Sequence, residues 1–361
     1  MTNRERYINC ALCRPIDRTP FMPFFGPWYS TMQAWAAAGV EDPGSAFVRG
    51  FGFETRVFPL NQYFDVSYLP AYDTGVIEEK KDTVLSLNRL GQLVETPKHN
   101  ETIPRIVESP VKTREDWEKL KAERLNPDDP ARYPEDWQPV VEAIAAADAA
   151  VQIGDFPWGV FGTLRDLLGV EESLIAFYDD PELVHTIMDD LTDFWLAVYE
   201  KAARHVQIDV FHIWEDMSGK QGSLISPAMI REFMLPNYRK IRAFCDKHGI
   251  AVMQVDTDGL CEGLIPLFHE GGVNSMQPFE VAAGCDVVAL REKYPYMSLQ
   301  CGIDKRALAQ GREAIDRELE RIRPLIGKTG FFPALDHLIP PDVSYENYCY
   351  YVNRLKEMIF S

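Results

Sequence analysis

The chain has no apolar run long enough to cross a bilayer as a helix, and no GxGxxG motif following a strand-like segment. The first absence argues against a membrane span and the second against a dinucleotide-binding sheet. Basic residues are scarce: 37 Lys and Arg face 55 Asp and Glu, leaving a net charge of −18. Neither a phosphate backbone nor an anionic lipid attracts such a surface, so no nucleic-acid or membrane partner is expected. Seven cysteines, an odd number scattered from Cys10 to Cys349, do not make a disulfide framework and suit a reducing compartment. No apolar segment of signal-peptide type follows Met1–Arg6, and a cytoplasmic protein is expected. Internal repeats, low-complexity tracts and linkers are also missing, so a single domain over residues 1–361 is expected.

What the sequence does contain is a regular alternation, from about residue 20 onward, of short apolar runs with longer segments of helical period, which marks a parallel α/β architecture. Strands are predicted at Val151–Gly154, Asp209–Trp214, Ala251–Val255, Val273–Met276, Met297–Cys301 and Gly330–Pro333. A helix is predicted over Pro181–Arg204, where Val184, Ile187, Met188, Leu191, Trp195 and Val198 recur at helical spacing. Another starts at Ser226–Pro227, with serine as cap and proline in the first turn, and stops at Gly249. Further helices are predicted near 262–270, 286–293, 306–326 and 344–358. Unbroken alternation of this kind predicts a closed (β/α)8 TIM barrel rather than a doubly wound sheet. In the first half, Val76–Thr96 alternates apolar and charged residues around Asn88–Gly91, which predicts a β-hairpin inserted before the regular units; Asn126–Trp137 reads as a surface connection.

In such a barrel the active site lies at the carboxyl ends of the strands. There the sequence is unusually polar. Val252–Val255 runs straight into Asp256–Thr257–Asp258–Gly259, and strand alternation sends Asp256 and Asp258 out on one face. Two carboxylates so placed repel unless a metal, a proton or a cationic group lies between them. Glu215, Asp216 and Lys220 follow the strand ending at Trp214; Glu280 follows Gln277–Pro278–Phe279; Asp304 and Lys305 follow Cys301; Asp336 and His337 follow Pro333.

Each has a structural reading beside the chemical one. Asp304, Glu215 and Asp216 could equally cap the next helix. His212, inside a strand, reads as a satisfied interior histidine, and His185, His205, His248 and His269 as surface residues. The Cys10-x-x-Cys13 pair, without a second pair or a nearby His pair, reads as packing. The aromatic stretch Phe21–Trp35, with Trp28 and Tyr29 as substrate-binding candidates, either lines the pocket mouth or packs. Asp256, Asp258 and His337 together offer two oxygens and a nitrogen, a set that suits a catalytic divalent ion; without a metal, the two carboxyls could share a proton as general acid or base.

Arg14–Pro20, Ile225–Ser226–Pro227, Asp256–Gly259, Cys301–Asp304 and Asp336–Asp342 resemble the uroporphyrinogen decarboxylase superfamily over nearly the whole chain. The resemblance implies a (β/α)8 barrel and one of two activities: cofactor-free decarboxylation of a tetrapyrrole, or zinc-dependent methyl transfer between corrinoid proteins and thiols or other acceptors. The decarboxylase branch has an arginine-rich N-terminal segment that grips carboxylates, whereas Phe21–Val40 here has no Arg or Lys. The methyltransferase branch has His-x-Cys-Gly where this chain has Asp256–Thr257–Asp258–Gly259, and a Cys near the position of His337.

The expectation is therefore a methyltransferase of this superfamily acting on a small molecule, of the O-, N- or S-demethylating type, with a corrinoid protein as partner. Asp256, Asp258 and His337 are the candidate ligands of a divalent metal, zinc by resemblance. Asp256, Asp258, Glu215, Asp216 and Glu280 are the candidate catalytic groups, and Lys220 and Lys305 would hold a substrate anion. The alternatives are a uroporphyrinogen-type decarboxylase and a non-catalytic barrel that binds a tetrapyrrole or corrinoid.

Overall fold

A computed structural model of the chain describes residues 1–99 and 104–361. After the helix Asn3–Ala11 and the helix Tyr29–Ala37, the strand β1 (Val57–Pro59) opens the main sheet. Strands β2 (Gly75–Glu79), β3 (Thr83–Leu87), β4 (Leu93–Pro97) and β5 (Arg105–Glu108) form a separate antiparallel sheet in sequential order. The region where one hairpin was expected thus carries four strands, and β5 lay beyond the predicted segment. The main sheet resumes with β6 (Ala150–Ile153) and β7 (Val210–Trp214). A small hairpin, β8 (Ser218–Gly219) with β9 (Gly222–Ser223), follows; β10 (Val252–Asp256), β11 (Ser275–Gln277), β12 (Ser298–Gln300) and β13 (Phe331–Phe332) complete the main sheet.

The main sheet is entirely parallel, in the order β1-β6-β7-β10-β11-β12-β13. It is curled: Tyr7 of the first helix donates to Gln254 in β10 and packs its ring 5.0 Å from that of Phe332 in β13, so middle and last strands face one interior. Among the described residues this sheet has seven strands where eight were expected, and β1 and β13 do not pair. The first helix plugs the amino-terminal end, where Tyr7, Cys10 and Ala11 pack on Ala150, Val210, Val252 and Phe332. Cys10 is fully buried and donates to the Phe331 carbonyl, the packing role expected for it.

The outer layer buries one face of each helix. Pro181–Ala202 begins with the Asp180 side chain accepting from the Leu183 N–H and turns Val184, Ile187, Met188, Leu191, Trp195 and Val198 inward. The single helix expected after Ser226 is interrupted. Ser226 caps a short turn, residues Ile230–Met234 form a π-type turn, and an α-helix then runs Leu235–His248 to Gly249 at φ 68°. Pro236 has no N–H to give to the preceding turn, which accounts for the break in the regular ladder. No helix among the described residues is long and apolar enough to cross a membrane.

Candidate functional site

Alternation along each strand decides what fills the interior. Gln152 in β6, His212 in β7, Gln254 in β10, Ser275 and Gln277 in β11 and Gln300 in β12 are all buried. Gln254 Nε2 lies 3.1 Å from His212 Nδ1 and 3.0 Å from Gln277 Oε1, and Gln277 Nε2 donates to Asp256 Oδ2 at 2.6 Å. Gln300 Nε2 donates to Gln254 Oε1 at 2.7 Å and to Ser275 Oγ at 2.8 Å. A chain of amides therefore runs through the interior and ends on one carboxyl of the acid pair. His212 is the satisfied interior histidine that its strand position implied: burial pushes its pKa down to about 4, and the Gln254 contact assigns its ring proton to Nε2.

At the carboxyl end of β10 the two acids part company. The Asp256 carboxyl is pushed up to about 7, first by burial and then by the negative charge of Asp258; the Gln277 hydrogen bond and the charges of Arg56 and His337 pull it only partly back. Asp258 faces His337, with Oδ2 3.5 Å from Nε2. Burial pushes the imidazole pKa down, but the hydrogen bond and charge of Asp258 outweigh that and leave it raised. The His337 ring lies on Phe25, centroids 4.8 Å apart at 22°.

The aromatic stretch thus does both things expected of it. Its Phe25 lines the mouth, while Trp35 is buried and donates to the Val343 carbonyl. Of the two substrate-binding candidates, the Trp28 N–H donates to the Ile339 carbonyl, which ties the segment to the loop after β13; the Tyr29 side chain is exposed.

Several other expected site groups are committed to holding loops. Glu215 is fully buried: its carboxylate accepts from the N–H groups of Val160, Phe161 and Gly162 and from Tyr238 Oη, and so caps the helix Val160–Leu168 from outside. It takes the capping alternative, though it caps a helix before it in sequence. Asp216 pairs with Arg165 at 2.9 Å. Glu280 accepts the Gly259 N–H at 3.0 Å and faces Lys305 Nζ at 3.3 Å. Lys305 lies between Glu280 and the buried Asp336, which also accepts the Val281 and Lys305 N–H groups. These contacts use Lys305 within the protein. Lys220 is exposed in the turn between β8 and β9, away from any ion pair among the described residues. Asp304 caps locally, accepting the Arg306 N–H at 2.9 Å.

Two groups at this mouth escaped the sequence reading. Arg56, just before β1, is close enough to Asp256, His212, Tyr7 and Cys301 for its charge to act on each, and its guanidinium stands 4.9 Å over the Phe24 ring. Asp155, in the loop after β6, exerts the opposite charge on His212. Asp155 is a strand-end acid and was findable by the rule that found the others; Arg56 precedes its strand and was not.

The expected metal set does not assemble. Among the described residues no three His, Cys, Asp or Glu side chains are gathered so as to hold one metal ion. Asp256 is turned to Gln277 and Asp258 to His337, so this donor set does not fit a three-ligand ion as arranged.

A curled parallel sheet with ionisable groups converging at its strand ends defines the barrel class of α/β proteins. Residues 79–358 match the family model of uroporphyrinogen decarboxylase (URO-D), and the chain belongs to that family. A uroporphyrinogen decarboxylase of Magnetococcus marinus is 23% identical over 384 aligned positions, covering 99% of this chain and 97% of that protein. A methyltransferase from Methanosarcina mazei has the same fold, with a TM-score of 0.62 at 14% identity and 99% coverage of both chains.

Proposed function

We propose that the protein is a methyltransferase that protonates the heteroatom from which a methyl group departs. The observation that supports it is the Asp256 carboxyl, half-buried at the strand end, held by Gln277 and pushed up to about 7, where it holds or yields a proton near neutrality. In a substrate R–X–CH3, where X is oxygen, sulfur or nitrogen, the acceptor takes the methyl carbon and the C–X bonding pair stays on X. Asp256 gives its proton to X and is left as carboxylate, and solvent returns the proton at the open mouth. Gln277, held by Gln254, fixes the orientation of the acid through its 2.6 Å hydrogen bond. The negative charge of Asp258 beside Asp256 favours the protonated form before reaction, and the charge of His337 takes back part of that effect. The acceptor is taken from the superfamily resemblance as a corrinoid protein.

Decarboxylation is the second reading, favoured by the name of the curated relative. In that reaction the same acid would protonate the carbanion left when carbon dioxide departs. A porphyrinogen, however, carries many carboxylates, and Phe21–Val40 offers no cation to meet them.

The test is to supply methyl donors with an isotope-labelled methyl group and a free reduced corrinoid, and uroporphyrinogen in a parallel reaction. Methyl transfer that falls by about 10²–10⁴ in Asp256→Asn is expected for loss of a general acid. Release of carbon dioxide from uroporphyrinogen, with no methyl transfer from any donor, would overturn the proposal.

A further inference from the structure

We infer that Arg56 anchors an anionic group, a carboxylate, of the substrate at the barrel mouth. This rests on the mouth being the reaction site, as proposed above, and names the class of molecule that enters it. Arg56 is half-buried. Among the described residues it forms no ion pair; its contacts are the Phe24 ring and a long, 3.4 Å hydrogen bond to the Phe24 carbonyl.

The neighbouring acids do not neutralise it. Asp258 is taken by His337, Glu280 by Lys305 and the Gly259 N–H, and Asp336 by Lys305 and two backbone N–H groups. Asp256 is turned to Gln277 and, among the described residues, forms no ion pair with Arg56.

A guanidinium partly withdrawn from water lacks an anion, and its planar fork matches a carboxylate with two parallel hydrogen bonds. Arg56 is also the mouth cation best able to act so, because Lys305 is engaged with two acids and Lys220 stands in an exposed turn. With a net charge of −18 the protein repels anions at long range, so an anionic substrate needs such a local cation. The Phe24 and Phe25 rings, on which Arg56 and His337 lie, make the wall beside the guanidinium apolar, which suits an aromatic body behind the carboxylate.

Benzoate and benzamide are the probes, since they share a ring and differ in charge, and calorimetric binding to the full chain needs no methyl chemistry. Wild type is expected to bind benzoate at least about tenfold tighter than benzamide, and Arg56→Gln to lose that preference, a difference of about 1.4 kcal/mol. Asp256→Asn should keep the preference while losing turnover, which separates failure of the anchor from failure of the proposed reaction. An unchanged melting temperature in Arg56→Gln shows that the fold is intact, and Arg56→Lys should restore part of the preference. Equal binding of the two probes to wild type, no binding of benzoate at all, or a preference that survives in Arg56→Gln would overturn the inference.

Discussion

Replacing Glu215 by alanine should destabilise the fold far more than a typical strand-end substitution. The carboxylate is fully buried and receives four donors: Val160 N at 3.1 Å, Phe161 N at 2.7 Å, Gly162 N at 3.0 Å and Tyr238 Oη at 2.6 Å. Each buried donor left without an acceptor costs about 1–3 kcal/mol. Water entering the space left by the side chain recovers part of this, so a loss of about 4 kcal/mol is expected, a large share of the about 5–15 kcal/mol that holds a typical protein folded. Glu215→Gln keeps one acceptor oxygen and should cost about half as much.

The two variants also differ from wild type in their pH response. The Glu215 carboxyl is pushed up to about 6, chiefly by burial. A carboxyl whose folded pKa is raised contributes stability that is present below its unfolded pKa and lost as pH rises through the folded one. The gap between wild type and Glu215→Gln should therefore narrow as pH rises through about 6. Urea unfolding at a series of pH values measures both effects, with unchanged slopes showing that the midpoints report stability. A loss below about 1 kcal/mol in Glu215→Ala would refute the capping role.

Other substitutions probe neighbouring joints. A Cβ on Gly162 would lie 2.6 Å from the Trp214 carbonyl oxygen, so Gly162→Ala must push the helix off the strand end; thermal unfolding should show a loss of about 1–3 kcal/mol. Asp258→Asn removes the charge that raises both Asp256 and His337, so the pH above which turnover falls should move down and the imidazole pKa, followed by NMR, should drop. Elemental analysis of purified protein should show no stoichiometric zinc that is lost in both Asp258→Ala and His337→Ala; zinc lost in both would mean that these side chains regroup around an ion.

The main-sheet strands after residue 150 were legible because buried parallel strands read as short apolar runs between helical periods, and their observed bounds differ from the expected ones by a residue or two; the small β8–β9 hairpin was not. The same reading placed Asp256, Asp258 and His337 at one mouth, where Asp258 reaches His337 while Asp256 turns to Gln277. It did not show that Glu215 would turn away to cap Val160–Leu168, because the recipient helix begins 55 residues earlier and the pairing exists only in three dimensions. The metal expectation came from residue types, while ligation depends on side-chain direction: Gln277 claims Asp256 before a third ligand can. A glutamine recurs inside four apolar strands, at Gln152, Gln254, Gln277 and Gln300, and a repeated amide at inward positions announces a polar interior.

Carbon-detected NMR of the Asp256 carboxyl, assigned by its absence in Asp256→Asn, reports the proton on which the proposed chemistry depends. Half-titration near pH 7 in wild type, falling in Asp258→Asn, is the expected result. Titration of wild-type Asp256 at about 4, the ordinary aspartate range, would leave no proton to give at neutrality and would contradict its role as the acid.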